Sequence, residues 1–459
     1  MRSLLSAVLT IFMVGEVAAA QAIRPDADPR IEKLVSAVSE ARMRQIDEKL
    51  ASFATRNTLS DPASTTRGVG AARQWIFDEL KRSSAKLQVS FDTYNLAEQG
   101  RITRATELRN VVAILPGKTP RRIYVTGHYD TVDNGGQGAA NSRPAGAPAE
   151  AAATPTRDIN GPAPGANDDG SGTTLTMELA RVFAESGIEF DATLVFVCWA
   201  GEEQGLMGSR SHAGKIAAEK IVVEAMFNND IVGNSHGGNG VVDAESVRIY
   251  AIGPEDSMAR SLARYIQKMA AIYMPSHTIR LMAREDRFGR GSDHSSFTAQ
   301  GYPAVVFREA NENFSMQHSP NDTVDGVDFA YLARNARVNV ASVASLALAP
   351  PAPAVAGATG SPMIGRQPSG YDANLRWTAS PGAVAYRIYW RDTWSNDWQH
   401  QQLVGNVTTF VLPNVSIDDY VFGVAAVSAD GHESLVSAYV SPNRRDPEVK
   451  FTPPRPGGR

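Results

Sequence analysis

Apolar residues recur at helical spacing early in the chain. Ile31, Leu34, Val35, Val38, Ile46 and Leu50 share one face across residues 31–53, and Trp75, Ile76 and Leu80 do so across 71–80. Both stretches predict amphipathic helices laid against a sheet. Short apolar or β-branched runs then follow at 87–91, 110–115, 123–126, 193–197, 223–227 and 304–307, and each predicts a strand. Helical patterns at 173–185 and 257–271 lie between them. Strands alternating with helices predict an α/β fold: a mostly parallel central sheet flanked by helices in three layers. Ligands of such sheets sit at the carboxyl ends of the strands. Gly127-His128, Gly201-Glu202-Glu203 and Asn229-Asp230 each follow closely on an apolar run.

The pattern breaks twice. Residues 134–165 are rich in Gly, Ala and Pro with almost no large apolar side chain, which predicts a flexible insertion loop, with an ordered lid as the alternative. Residues 349–361, opening Ala349-Pro350-Pro351-Ala352-Pro353, read as a linker. Beyond it the period changes to two: Val384, Tyr386, Ile388 and Trp390 alternate with Ala385, Arg387 and Tyr389. Short strands are expected at 375–377, 384–390, 407–412, 420–427 and 437–440. Together with Trp377 and the Ser380-Pro381-Gly382 turn, this segment resembles a fibronectin type III module, a small all-β sandwich over residues 362–442. Residues 443–459 are expected to be a disordered tail.

Composition narrows the function. The 459 residues are 43% hydrophobic and 20% charged, enough for a large core and more than one domain. A net charge of -4 with scattered Lys and Arg leaves no footprint for nucleic acid or an anionic membrane, so small substrates are expected. Residues 1–20 read as a secretory signal: Arg2, an apolar stretch over 4–15, and Ala18-Ala19-Ala20 before Gln21. The stretch is too short to span a bilayer, so no membrane span is expected in the mature chain, which would be periplasmic or extracellular. Cys198 is the single cysteine, so no disulfide can form within the chain, and its apolar strand predicts a buried, inert thiol.

The candidate chemistry lies in His, Asp and Glu residues at strand ends. His128 and Asp130 flank Tyr129, so both side chains project the same way. Pro164-Gly165-Ala166-Asn167-Asp168-Asp169-Gly170-Ser171-Gly172 sets adjacent carboxylates in a turn before a helix, where Asp169 or Ser171 could simply cap the helix. Glu202 and Glu203 end a buried strand and repel one another unless a cation or proton intervenes. Asp230 closes another apolar run, and His318 sits in the loop Gln317-His318-Ser319-Pro320-Asn321-Asp322. Two imidazoles and three carboxylates suit a pair of zinc ions that share one carboxylate and keep a position for water.

In this order, Gly127-His128-Tyr129-Asp130, Gly165 to Gly172, Glu202 to Ser209, Asn229-Asp230 and His318 resemble the secreted co-catalytic dizinc aminopeptidases and their glutamate carboxypeptidase relatives. The resemblance spans residues 110–346 of an expected peptidase domain at 21–348. It implies two Zn2+ ions per chain, one held by His128 and Asp230 and the other by Glu203 and His318, with Asp168 bridging. Asp130 would orient His128. Glu202 would take a proton from a water that the cations acidify and give it to the leaving amine. Gln317 departs from the pattern, since some relatives carry an aromatic there. Ser292-Asp293-His294 and Phe297 also belong to the resemblance, with His294 expected to be structural. His212, His236, His277, His400 and His432 have no partners at readable spacing.

Peptides are therefore the expected substrates, with an aminopeptidase as the leading reading. Arg284, Arg287 and Arg290 just before Ser292 offer a grip for a terminal carboxylate and keep a carboxypeptidase open. Single-zinc glutaminyl cyclases of the same fold family supply a third reading. A degenerate scaffold is disfavoured by the complete ligand set, and the C-terminal module is open to contact with a surface or a substrate.

Overall fold

The computed structural model describes residues 27–134 and 158–440. The leader, the tail and residues 135–157 of the insertion lie outside the described residues.

The first periodic stretch forms two helices rather than one. Asp28 caps α1 (Pro29–Ser36), and Ser39 accepts the Arg42 N–H to start α2 (Glu40–Ala51). α3 (Gly68–Ser83) follows. The strands β1 (Gln88–Leu96), β2 (Thr106–Leu115), β3 (Arg122–His128), β4 (Thr193–Trp199), β5 (Val223–Asn229), β6 (Ser246–Tyr250), β7 (Thr278–Met282) and β8 (Ala304–Glu309) form an eight-stranded sheet in the order β1-β2-β4-β3-β5-β8-β6-β7. The neighbours β4, β3, β5 and β8 run parallel, as do β6 and β7. The helices are α4 (Ser171–Glu185), α5 (Met207–Ala218), α6 (Met258–Tyr273), α7 (His294–Thr298) and α8 (Phe329–Ala347).

Alternation along the strands builds the expected three layers. Leu194, Phe196 and Cys198 of β4 point into a core with α1 to α4, α6 and α8, whereas Val195, Val197 and Trp199 point into a second core with α5 and α7. Cys198 is fully buried, and burial pushes its thiol pKa up, so the inert reading holds. No helix among the described residues is long and apolar enough to cross a membrane.

The C-terminal strands form two further sheets. One comprises β9 (Ile364–Gly365), β10 (Ala373–Arg376) and β13 (Thr409–Leu412); the other comprises β11 (Ala385–Asp392), β12 (His400–Val404), β14 (Tyr420–Val427) and β15 (Ser437–Ala438). Leu375, Tyr386, Ile388, Phe422 and Val424 pack between them. The expected linker is tied down at both ends: Arg121 donates to the Ala349 carbonyl, and Val355 joins the sandwich core.

The alternate face of β11 is covered as well, by α6. Glu433 collects Lys268 of α6 at 2.7 Å, Arg387 at 2.6 Å and the Tyr389 hydroxyl at 2.6 Å. Arg391 pairs with Asp256, Ser261 donates to the Val436 carbonyl, and Asp28 beside α1 meets His432 at 3.0 Å. The two units are therefore locked through a polar seam. Burial opposes ionisation of Glu433, but Lys268 and Arg387 outweigh it and hold its pKa below the ordinary value. Its stabilisation is complete above the free-glutamate pKa of about 4.3 and is lost as pH falls through the lower folded value. Glu433→Ala strands these donors and is expected to cost about 2 kcal/mol, read as a lower thermal midpoint and faster proteolysis at 349–361. An unchanged midpoint at neutral pH would show that the seam contributes nothing.

Candidate metal centre

The candidate residues meet at the carboxyl ends of β3, β4 and β5. The approach depends on two glycines. A Cβ on Gly127 would stand 2.4 Å from the Gly172 backbone, and one on Gly172 would stand 2.1 Å from the Asn229 carbonyl. Without side chains there, the start of α4 rests directly on the ends of β3 and β5.

Asp169 closes this junction. Its Oδ2 accepts the His128 N–H at 2.9 Å, and its Oδ1 accepts the N–H groups of Gly172 at 2.9 Å and Ile231 at 3.2 Å. The cap reading of Asp169 was thus right but incomplete, since one carboxylate ties two strand ends to a helix start. Asp322 does the same for the turn at Ala166–Gly170, accepting from Asn167 at 2.9 Å and Asp168 at 2.8 Å.

Asp168, held in this way, faces both sides. Its Oδ1 lies 3.4 Å from His128 Nε2 and its Oδ2 lies 3.0 Å from His318 Nε2. Asp230 Oδ1 is 4.0 Å from His128 Nε2, and Glu203 Oε1 is 3.0 Å from His318 Nε2. Among the described residues, two groups offer converging ligand atoms within 4.8 Å of one another: His128, Asp168 and Asp230, and Asp168, Glu203 and His318. Ligands around a tetrahedral zinc stand about 3.3 Å apart, so these spacings fit. Glu203 Oε1 and His318 Nε2 stand at a separation that suits either a direct contact or two ligands of one cation. The donor set thus fits a pair of divalent ions that share Asp168.

Glu202 belongs to neither group. Its Oε2 lies 4.0 Å from His128 Nε2. Burial raises its carboxyl well above the usual range; His128 opposes this, and Glu203, Asp230 and Asp293 add to it. Burial pushes both imidazoles down, but the surrounding acids win: Glu202, Asp130 and Asp168 raise His128, and Glu203 and Asp168 raise His318. Such a density of buried acid needs cations.

Asp130 stands beside His128, as expected of a residue that orients it, and does more. The nearer contact of His128 Nδ1 is the Asp130 carbonyl at 3.1 Å, with the carboxylate at 3.6 Å. That carboxylate instead accepts the N–H groups of Glu202 at 3.1 Å and Glu203 at 3.2 Å and the Thr58 hydroxyl at 3.2 Å. One residue thus sets both the imidazole and the paired glutamates. His294 contacts the Glu285 carbonyl at 2.8 Å and stands outside both ligand groups.

Sequence reasoning missed the partners of Asp230. Fully buried Arg308 donates to its carboxylate and, at 3.0 Å, to its carbonyl, while the Ser292 hydroxyl donates to Oδ2. A lone arginine in a strand carries no signal for this role. Arg287 and Arg290 are engaged by Glu312, and Arg284 lies over the Phe288 ring. His212 does have partners, Asp92 at 2.8 Å and Tyr124 at 3.2 Å, under the other face of the sheet.

A three-layer fold with two candidate cation groups at its strand ends is the arrangement of a metal-dependent enzyme, and comparison with known proteins makes the class specific. Residues 110–343 match peptidase family M28, and the chain belongs to that family. A "Probable zinc metalloprotease" of Pyricularia oryzae is 37% identical, covering 92% of this chain and 86% of the relative. Another, from Leptosphaeria maculans, is 36% identical over 90% of this chain and 97% of its own. The fold is shared with the LapA aminopeptidase of Legionella pneumophila (TM-score 0.51, 20% identity, 69% of this chain and 74% of that one). It is also shared with Porphyromonas gingivalis glutaminyl cyclase (TM-score 0.51, 17% identity, 67% and 98%).

Two outcomes follow. Asp169→Ala leaves three buried N–H groups unpaired and is expected to cost at least about 3 kcal/mol in unfolding free energy, with zinc binding lost in parallel. Asp130→Asn replaces an acceptor that serves two backbone amides and is expected to lower activity or zinc affinity about 10–100-fold, with a near-native circular dichroism spectrum. Wild-type zinc content and turnover in Asp130→Asn would remove its positioning role.

Proposed function

We propose that this chain is an exported zinc exopeptidase, an aminopeptidase that releases N-terminal residues from peptides. The observation that carries the reading is the sharing of Asp168 between two candidate ligand groups, with Glu202 in neither and its carboxylate 4.0 Å from His128. Membership of a peptidase family and the zinc metalloprotease names of the relatives support it. Export rests on the leader-like residues 1–20.

Two zinc ions, one held by His128, Asp168 and Asp230 and the other by Asp168, Glu203 and His318, would supply Lewis acidity toward a water and the scissile carbonyl. The rest belongs to the protein. Glu202 accepts the proton of the attacking water and returns it to the leaving nitrogen, and burial raises its carboxyl pKa above the ordinary value. Asp130 fixes the Glu202 backbone for this exchange. Asp293, fully buried beside Glu202, has its pKa pushed by burial up to about 7, and the ammonium of a free N-terminus would favour its ionised form. Overlapping ligand groups favour hydrolysis over the cyclisation expected of a single zinc. The small sandwich, in our reading a fibronectin type III-like unit, is a fixed neighbour of the peptidase unit.

The test uses octapeptides, long enough to separate the termini. Acetylation of the N-terminus is expected to abolish cleavage and C-terminal amidation to leave it intact; the reverse pattern would establish a carboxypeptidase. Glu202→Gln is expected to retain zinc by metal analysis and lose about 10²–10⁴-fold in kcat. Undiminished turnover in this variant would eliminate Glu202 as the base.

A further inference from the structure

Arginine is in surplus along one edge of the metal centre. Glu312, its side chain 2% exposed, takes Arg248 at 2.8 Å on one oxygen and both Arg287 at 2.7 Å and Arg290 at 2.8 Å on the other. Asp286 serves Arg287 at 3.1 Å and Arg308 at 3.0 Å. Arg248, Arg287, Arg290 and Arg308 thus share three carboxylates, Glu312, Asp286 and Asp230. An arginine at the open edge of such a cluster, with N–H groups to spare, suits an anionic guest.

Most of these groups are closed off, with the side chains of Arg308 and Arg287 0% and 9% exposed. Arg290 is the most exposed of the four, at 22% against 18% for Arg248, whose fork is occupied by Glu312, the Glu309 carbonyl and the Tyr250 hydroxyl. Its Nη2 donates to Gln317 Oε1 at 3.2 Å, and Gln317 immediately precedes His318. The guanidinium also lies 5.6 Å from the centroid of the half-exposed Phe314 ring, which fixes its plane at the rim. Its remaining N–H groups make no hydrogen bond among the described residues, and Arg guanidinium forks match a carboxylate. Burial, then crowding by Arg287 and Arg308 against the pull of Glu312, lowers the Arg290 pKa from its ordinary value, as expected where cations outnumber their partners.

We propose that Arg290 is a specificity-determining residue that takes the free C-terminal carboxylate of a short peptide, so that the preferred substrates are di- and tripeptides. This deepens the exopeptidase reading and rests on it. A carboxylate bound beside His318 places the scissile bond of a short peptide over the centre, and the benefit fades once the chain is too long for its terminus to reach. The same guanidinium could meet an acidic side chain, so the assay separates the two sources.

The experiment compares kcat and KM of the zinc-loaded full chain on alanyl-, leucyl- and lysyl-glycine, the same dipeptides as amides, and the corresponding aspartyl amides. Wild-type protein is expected to favour the free acids over the glycinamides by about tenfold or more through KM, with the aspartyl amides no better than the glycinamides. Arg290→Met should erase the preference, read as the acid-to-amide ratio of kcat/KM, and Arg290→Lys should keep part of it because charge survives without the planar fork. Glu312 keeps Arg248 and Arg287 in both variants, and a thermal melt confirms folding; should the Met variant fail to fold, a reduced acid-to-amide ratio in the Lys variant decides. Equal rates on acids and glycinamides, a preference for aspartyl amides, or a preference that survives Arg290→Met would each overturn the proposal while leaving the exopeptidase reading in place. Cleavage of none of these peptides, together with none of the octapeptides, would remove both.

Discussion

The arrangement of the site depends on one buried carboxylate. Asp169 binds the amides of His128 at the end of β3, Gly172 at the start of α4 and Ile231 just beyond β5. Burying a carboxylate is costly, and burial raises this one well above its ordinary pKa. Three N–H groups and the positive end of a 15-residue helix offset that cost. What results is a rigid corner where the residues next to these amides, His128, Asp168 and Asp230, point at one another. Asp130 and Asp322 repeat the device for the glutamate pair and for the Asp168 turn, so the candidate ligands are held through their backbones and leave their side chains free for a cation.

Such pins also explain how strained backbone survives at the centre. Ile231 has φ +60° and His318 has φ +54°, the left-handed region that costs a β-branched or bulky residue about 1–3 kcal/mol. Ile231 is gripped from both sides, its N–H by Asp169 and its carbonyl by the Glu309 N–H at 2.8 Å. The His318 carbonyl takes the Asn134 N–H at 2.9 Å. Each twisted residue adjoins or is a candidate ligand, and the twist aims that ligand inward from an otherwise extended chain.

Much of the frame was legible because burial writes itself into sequence period. Strands β2, β3, β4, β5 and β8 were read near their observed positions since both their faces are buried and their sequences are continuously apolar. β12 was missed for the opposite reason: His400 to Leu403 form an exposed edge with no apolar alternation. Helix α8 was missed because almost every residue of it is buried, so no polar face marks its period. The convergence of the candidate ligands was legible through their strand-end placement, whereas Arg308, Ser292 and Asp322 act across long separations that no local motif records. The docking of the sandwich on α6 was equally silent, since Arg387, Tyr389 and Arg391 look like an ordinary solvent face until Glu433, Lys268 and Asp256 meet them.

The adjacent acids show where chemistry stops being readable from residue type. In Asp168-Asp169 the first carboxylate faces the centre and the second pins backbone; in Glu202-Glu203 the second faces the centre and the first stands beside it. Neighbouring side chains cannot both point at one ion without bringing two charges together, so each pair must divide its labour. Which member turns inward is set by where free amides lie. Asp169 meets the amides of β3, α4 and β5 behind it, while Glu202 and Glu203 both lend their amides to Asp130 and keep their carboxylates unclaimed by the backbone. The first division gives a candidate ligand and a clamp, the second a candidate ligand and the proton carrier we propose, from pairs that look alike in sequence.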